Sequence, residues 1–283
     1  MRIFKRKQQD TKEELRELLD GYELPSFPGV VMDVLAMLRD PDTTVGSIGE
    51  QIQKDPALLV KVLSTVNAAA FGLPVQVSNI NRATALLGLS RLESIILSHA
   101  VKDTVSSQRP PWFDARQFWA GAARRANLAR QLALRLHPTT EVESFTAGML
   151  QDMAVLVLAT VKPKEYQEIF FALEGNNELW LHNLEQEKFS FDHQAIGSLM
   201  AEEWDLSEYL VNAISQHHNE AFGDEMIDPA VHLVTYIRST GVESGIDEFK
   251  ARCSKHYQLD EVTVSQMLES ADEDAAQLKE VLA

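Results

Sequence analysis

The chain has a single cysteine, Cys253, among 283 residues, so no internal disulfide is possible and stability has to come from a packed core. It is also short of positive charge. Twenty-six Lys and Arg stand against 42 Asp and Glu, a formal net charge of −16. Phosphate backbones are held mainly by Lys and Arg, so nucleic acid is not an expected partner. The basic start, Arg2, Lys5, Arg6 and Lys7, reads as a solvated chain end. No apolar segment follows it, which excludes a secretory signal peptide. No apolar run is read as long enough to span a bilayer, so a membrane is not an expected partner and the expected location is cytoplasmic. A P-loop and a Gly-x-Gly-x-x-Gly are both missing, which excludes the common nucleotide-cradling loops. Period-two alternation is scarce, which argues against a sheet.

What is present is apolar sequence at helical spacing. The composition, 45% apolar and 24% charged, is that of a globular protein, and the length suits one large domain or two ordinary ones. Thr11 with Glu14 three residues on is a capping box opening a helix over 11–20. Further helices are expected over Gly29–Arg39 and Thr44–Lys54. Asp55-Pro56 opens another, with a good N-cap followed by proline at the first helical position. Its apolar stripe is Leu59, Val62, Leu63, Val66, Asn67 and Ala70. Asn67 is an amide on that stripe, and is expected to bond a neighbouring loop backbone and fix the turn at Phe71-Gly72-Leu73-Pro74. Ser78 and Ser90 are read as caps of the next two helices. His99 sits on an apolar face, as a hydrogen-bonded core histidine would.

Ser107 to Pro111 is the strongest internal break, since Pro110-Pro111 ends any helix. It sets a helical subdomain over 1–108 before a second bundle over 109–240. Two polar helices fill 241–283, with Cys253 read as an exposed thiol. The fold class is therefore all-α.

The second bundle contains the stretch Ala147 to Ala159, in which only Gln151 and Asp152 carry hydrogen-bonding side chains. A helix apolar on every face is a buried one. A buried carboxylate needs a donor, a cation or a metal beside it. His193 shares a face with Ile196 and Met200. His217 and His218 stand seven residues after Leu210 and Val211, so both point inward or to a cleft edge. Imidazole and carboxylate together suit a divalent metal, and the same residues also suit a closed hydrogen-bonded cluster with Asp152 accepting from a histidine, Arg124 or Arg125.

Several motifs follow one another in a recognisable order. They are Leu24-Pro25 to Pro28, Asp55-Pro56-Ala57-Leu58, Val62-Leu63 to Asn67-Ala68-Ala69, and Ile80 to Gly88. Gly148-Met149-Leu150-Gln151-Asp152, His193 with Gly197, Trp204-Asp205-Leu206 and His217-His218 come after them. This ordered set resembles the HDOD domain over roughly residues 20–240. The resemblance implies a bacterial, all-helical scaffold related to the HD-domain metal-dependent phosphohydrolases and used in signalling. It also implies that most ligands of those enzymes are gone. The early helix, Phe118 to Ala123, has no histidine. Gln151 stands where the His-Asp pair has its histidine, and Val231 to Tyr236 has no aspartate. Asp152 is retained, and His193, His217 and His218 resemble ligands that extend the site in two-metal relatives.

The expectation is a non-catalytic signal-transduction module that works through signalling proteins or a small ligand, with no catalytic residue and no cofactor. The alternative is a divergent metal-dependent phosphohydrolase for nucleotides or cyclic dinucleotides. It would hold its metal at Asp152, His193, His217 and His218.

Overall fold

The computed structural model describes residues 19, 21–24, 26–68, 76–107, 109–174, 176, 178–219, 228–238 and 245–282. Every regular element among them is helical. The expected helix over 11–20 and the turn at 71–74 lie outside the described residues.

The first group of helices is α1 (Gly29–Arg39), α2 (Val45–Gln53), α3 (Pro56–Val66), α4 (Ile80–Leu87) and α5 (Leu89–Ser106). Their starts follow local chemistry. Thr44 accepts from the Ser47 amide, and Asp55 accepts from the Ala57 and Leu58 amides ahead of Pro56. Two cap assignments need correction. Asn79, not Ser78, accepts from the Arg82 amide at the start of α4. Gly88, at φ +83°, makes the turn into α5, which leaves Ser90 inside that helix. A left-handed φ suits glycine, which has no Cβ to clash.

Asn67 does what its position on the stripe of α3 suggested. Its Nδ2 donates to Leu63 O and Val77 O, both at 2.8 Å, and its Oδ1 accepts from the Val77 amide at 2.7 Å. The side chain thereby ties both ends of the 68–76 connection together.

The second group starts with α6 (Ala115–Leu136), capped by Asp114. A short 3₁₀ turn over Pro138–Thr140 leads to α7 (Glu141–Leu150), and α8 (Ala154–Val161) and α9 (Pro163–Leu173) follow. The apolar stretch around Asp152 is thus two helices, with Gln151, Asp152 and Met153 forming the turn between them. Pro138–Val161 is also long and apolar enough, at a mean hydropathy of 1.5, to cross a membrane by composition alone. This corrects the expectation that no run approaches that length. In the fold, 83% of its most apolar window is buried inside the protein, as a core helix pair would be.

Next come α10 (Leu181–Phe189), α11 (His193–Glu203), α12 (Glu208–Gln216) and α13 (Pro229–Val234). The last two helices are α14 (Ile246–Tyr257) and α15 (Glu261–Leu282).

One buried apolar cluster contains Leu19, Ile96 and Val105 before the Pro110-Pro111 break and Phe118, Leu156 and Ile214 after it. A second joins Leu128 and Leu132 of α6 to Phe249, Cys253, Val264 and Met267 of the C-terminal helices. The C-terminal helices are polar only on their outer faces. Cys253 is therefore fully buried, not exposed, and burial pushes its thiol up to about 12. A thiol so far from ionising is a poor nucleophile.

His99 is a core residue, 2% exposed. Thr65 Oγ1 donates to Lys61 O, so it accepts the His99 Nε2–H at 2.7 Å. The other ring nitrogen, Nδ1, is buried with no hydrogen-bond partner among the described residues. Burial lowers the His99 pKa to about 4, with Asp103 opposing and Lys61 and Lys102 assisting. The folded state then resists a proton that the unfolded chain takes up near its ordinary pKa of 6.5. Stability from this group is present above 6.5 and lost as pH falls from there toward 4. Urea unfolding across that window should show a slope shallower in His99→Gln than in the wild type, by up to about 1.4 kcal/mol per pH unit. Equal slopes would mean that His99 is not held neutral.

Candidate metal centre

Two glycines set the spacing of the backbones around Asp152. A Cβ on Gly148 would sit 3.1 Å from Arg125 O and 3.2 Å from Ala126 Cα, so α7 lies hard against α6 there. A Cβ on Gly197 would sit 2.9 Å from Ile214 Cγ2, so α11 packs there directly on a side chain of α12. The turn after α7 presents Asp152 to this meeting point. Asp192 caps α11 through the Ala195 amide and places His193 as its first residue. His217 and His218 form the turn that ends α12.

All four residues singled out in the sequence converge. Asp152, His193, His217 and His218 each offer one ligand atom, and these atoms lie within 4.8 Å of one another. His193 Nε2 is 3.1 Å from both His217 Nε2 and His218 Nε2. Asp152 Oδ1 is 3.3 Å from His217 Nε2 and 3.4 Å from His193 Nε2. His193 and His217 are almost wholly buried, and the Asp152 side chain is 14% exposed.

The opposite edges of the rings determine what meets in the middle. His193 Nδ1 donates to Glu185 Oε2 at 2.6 Å, and His217 Nδ1 donates to Ile214 O at 2.7 Å. His218 Nδ1 is 3.1 Å from Thr235 Oγ1. A neutral imidazole that donates from Nδ1 has a lone pair on Nε2. The Nε2 atoms of His193 and His217 therefore face each other and Asp152 Oδ1 as acceptors, an arrangement that needs a cation between them. That cation is a proton or a metal ion. Ligands about 2.0–2.2 Å from a shared ion lie about 3.0–3.4 Å apart, which is the spacing of His193 from His217 and His218 and of Asp152 from His193 and His217. A histidine ligand with its second nitrogen bonded to a carboxylate or carbonyl is the usual arrangement in metal sites.

Charge reinforces the geometry. Burial, the largest single influence, opposes ionisation of Asp152, but Arg125, His193 and His217 together outweigh it and hold the carboxyl well below its usual range. Burial would lower His193, but the Glu185 and Asp152 carboxylates raise it to about 10. Burial keeps His217 and His218 below the ordinary histidine value. Without a metal, a proton on His193 is the cation that the cluster shares.

The second Asp152 oxygen has a different partner. Arg125 Nη2 lies 2.9 Å from Oδ2, and the arginine is 1% exposed. The expected protein partner of Asp152 is, on this oxygen, the Arg125 guanidinium, held as an ion pair. Arg124 pairs with Asp272 at 2.5 Å. Glu185 was not among the residues read as functional. It is fully buried, accepts both His193 Nδ1–H and the His193 amide, and accepts the Tyr166 hydroxyl on its other oxygen. His182 was also missed, and its ring stacks on His218 with centroids 4.0 Å apart. His232 stays outside the cluster, with Nδ1 donating to His217 O.

Arg125→Met should lower the unfolding free energy by about 3–5 kcal/mol, because it strands a buried carboxylate. Denaturant melts of the two proteins test this, and a loss below about 1 kcal/mol would show that Arg125 does not hold Asp152.

Comparison with known proteins places these features in a family. The model of the HDOD domain matches residues 24–220. A curated relative, an uncharacterized protein of Treponema pallidum (strain Nichols), is 24% identical over 219 residues. Those residues are 77% of this chain, which spans 42% of that relative's length. A Shewanella amazonensis SB2B structure described provisionally as a phosphohydrolase aligns with a TM-score of 0.75 at 22% identity, covering 95% of this chain and 98% of that one. An HDOD domain protein of unknown function from Geobacter sulfurreducens aligns with a TM-score of 0.73 at 20% identity, covering 97% of each chain. These two likenesses establish the fold, and the match over 24–220 establishes the family: the chain belongs to the HDOD domain proteins.

Proposed function

We propose that the protein is a bacterial, cytoplasmic signal-transduction module that works by binding signalling proteins or a small ligand, and that it holds one divalent cation at Asp152, His193, His217 and His218. The observation that carries this reading is the division of Asp152 between two cations. Oδ1 faces the Nε2 cluster, while Oδ2 is taken by Arg125. A carboxylate committed in this way does not bridge two metals, so the two-metal clamp used in many phosphoryl hydrolyses is not available. Four protein ligands on one ion also make a closed site. Catalytic ions keep a position open for water or substrate, whereas structural ions do not.

The donor set fits such an ion. Three imidazoles and a carboxylate suit zinc and its first-row neighbours better than magnesium. This departs from the expectation of no cofactor, because that expectation rested on the missing residues of the early helix, of Gln151 and of the late helix. The residues that remain suffice for one ion. It would supply fixed positive charge and tie α11 and α12 to the turn at Asp152.

A mononuclear phosphohydrolase is the second reading. What favours it is the position of His218 at the edge of an open cleft, where this ligand could give way to a substrate oxygen.

Metal analysis of the purified full chain, with chelator and add-back, separates these readings. The proposal predicts about one ion per chain, a melting temperature that falls with chelator, and recovery on adding Zn²⁺, Mn²⁺ or Fe²⁺. Asp152→Ala should abolish the recovery. No bound metal and no thermal shift with any divalent ion would remove the cation. Hydrolysis of nucleotides or cyclic dinucleotides that Asp152→Ala abolishes would remove the non-catalytic role and establish the second reading.

A further inference from the structure

A cleft of about 690 Å³ lies beside the cluster, with His218 in its lining. That volume is in the range of small-molecule sites. Its lining includes Trp180, His182 and His218, together with Tyr236, Arg238 and Arg252, which lie beyond residue 220, where the family match ends.

Two features of the lining point to a ligand class. The first is aromatic surface. Trp180 and Tyr236 meet edge to face at 5.7 Å, and His182 stacks on His218 at 4.0 Å. The Nδ1 of His182 is buried with no hydrogen-bond partner among the described residues. The second is a pair of guanidiniums, each held over a ring. Arg238 lies 4.3 Å over Trp180 and Arg252 lies 4.3 Å over Tyr236. The planar fork of guanidinium N–H groups matches a phosphate or carboxylate. Asp247 and Glu248 also line the cleft, and Glu248 accepts from Arg252 Nε at 2.5 Å, which holds that arginine in place. Arg238 and Arg252 match Asp247 and Glu248 in number on the lining, and a divalent ion held at the cluster would add positive charge beside the cleft.

We propose that this cleft binds a small oxyanion that carries a planar ring, with the anionic group held by Arg238 and Arg252 and the ring lying against Trp180 and His182. The proposal deepens the small-ligand part of the function above and rests on it. It makes the C-terminal addition a wall of the binding site. Because His218 belongs both to the cleft and to the cluster, occupancy would be felt at Asp152, and through it at Arg125 and α6.

Calorimetric titration of the full chain tests this with four probes. Adenosine monophosphate carries ring and phosphate, and indole-3-acetate carries ring and carboxylate. Adenosine carries the ring alone, and inorganic phosphate the anion alone. At least one of the first two should bind measurably, and more tightly than either partial probe. Arg238→Gln and Arg252→Gln should each weaken it by about tenfold or more. Arg252→Lys, which keeps charge and stem, should retain a native melting curve while weakening the same probe. Failure of both ring anions to bind, or binding that is unchanged in the arginine variants, overturns the proposal. Metal content is measured on the same samples, so arginine-dependent binding to metal-free protein would uphold the ligand site while removing the cation.

Discussion

Each cluster histidine has its outer nitrogen committed, and the site depends on that constraint. Glu185 takes Nδ1 of His193 and the Ile214 carbonyl takes Nδ1 of His217, so both Nε2 lone pairs are left to meet at Asp152. The positions of α10, α11 and α12 all answer to this requirement. Glu185 sits fully buried on α10, where an unpaired carboxylate would be costly. Its two oxygens are occupied by His193 and Tyr166, which fastens α10 to both α11 and α9. The polar cluster is thus also a set of ties between helices. Gly148 lets the backbones of α7 and α6 approach to near contact, and Gly197 leaves room for the Ile214 side chain of α12.

Asp152 divides the site into two halves with different chemistry. One oxygen belongs to the imidazoles and the other to a guanidinium from the middle of α6. Arg125 is a cation that cannot dissociate, so it fixes half of the charge balance permanently. The other half depends on what occupies the cluster. An exchangeable cation on one side and a fixed one on the other suit a site that reports occupancy. The cleft walled by α14 and Tyr236 brings a second possible occupant to the same histidine pair.

Much of the fold could be read from the sequence. Asp55-Pro56, Thr44 and the periodicity of α3 carry their own instructions, because a cap and a stripe are local. Asn67 was legible for a related reason: an amide on an apolar stripe has to find backbone partners nearby. The errors are just as physical. Ser78 and Asn79 are both good caps, and the backbone conformation decides between them. Ser90 lost its role because Gly88 turns the chain two residues earlier. The break at Gln151–Met153 has no glycine or proline within it to announce it. Cys253 was misplaced because α14 and α15 are polar in bulk, yet their few apolar residues share one buried face with α6. Helical register and ligand chemistry made the four cluster residues legible as a group, and the resemblance to a family then matched them to a known kind of site. Glu185, which orients His193, lacked any such signal, since its role depends on a tertiary contact eight residues away on another helix.

The central claim is that Asp152 Oδ1 and the three Nε2 atoms surround one cation while Arg125 keeps the other oxygen. A crystal structure of metal-reconstituted protein, with anomalous diffraction recorded on both sides of the metal's absorption edge, tests this most directly. The account predicts one anomalous peak per chain, in contact with Asp152, His193, His217 and His218, with Arg125 still against Oδ2. No peak at the cluster would contradict it. So would two peaks bridged by Asp152 with Arg125 displaced.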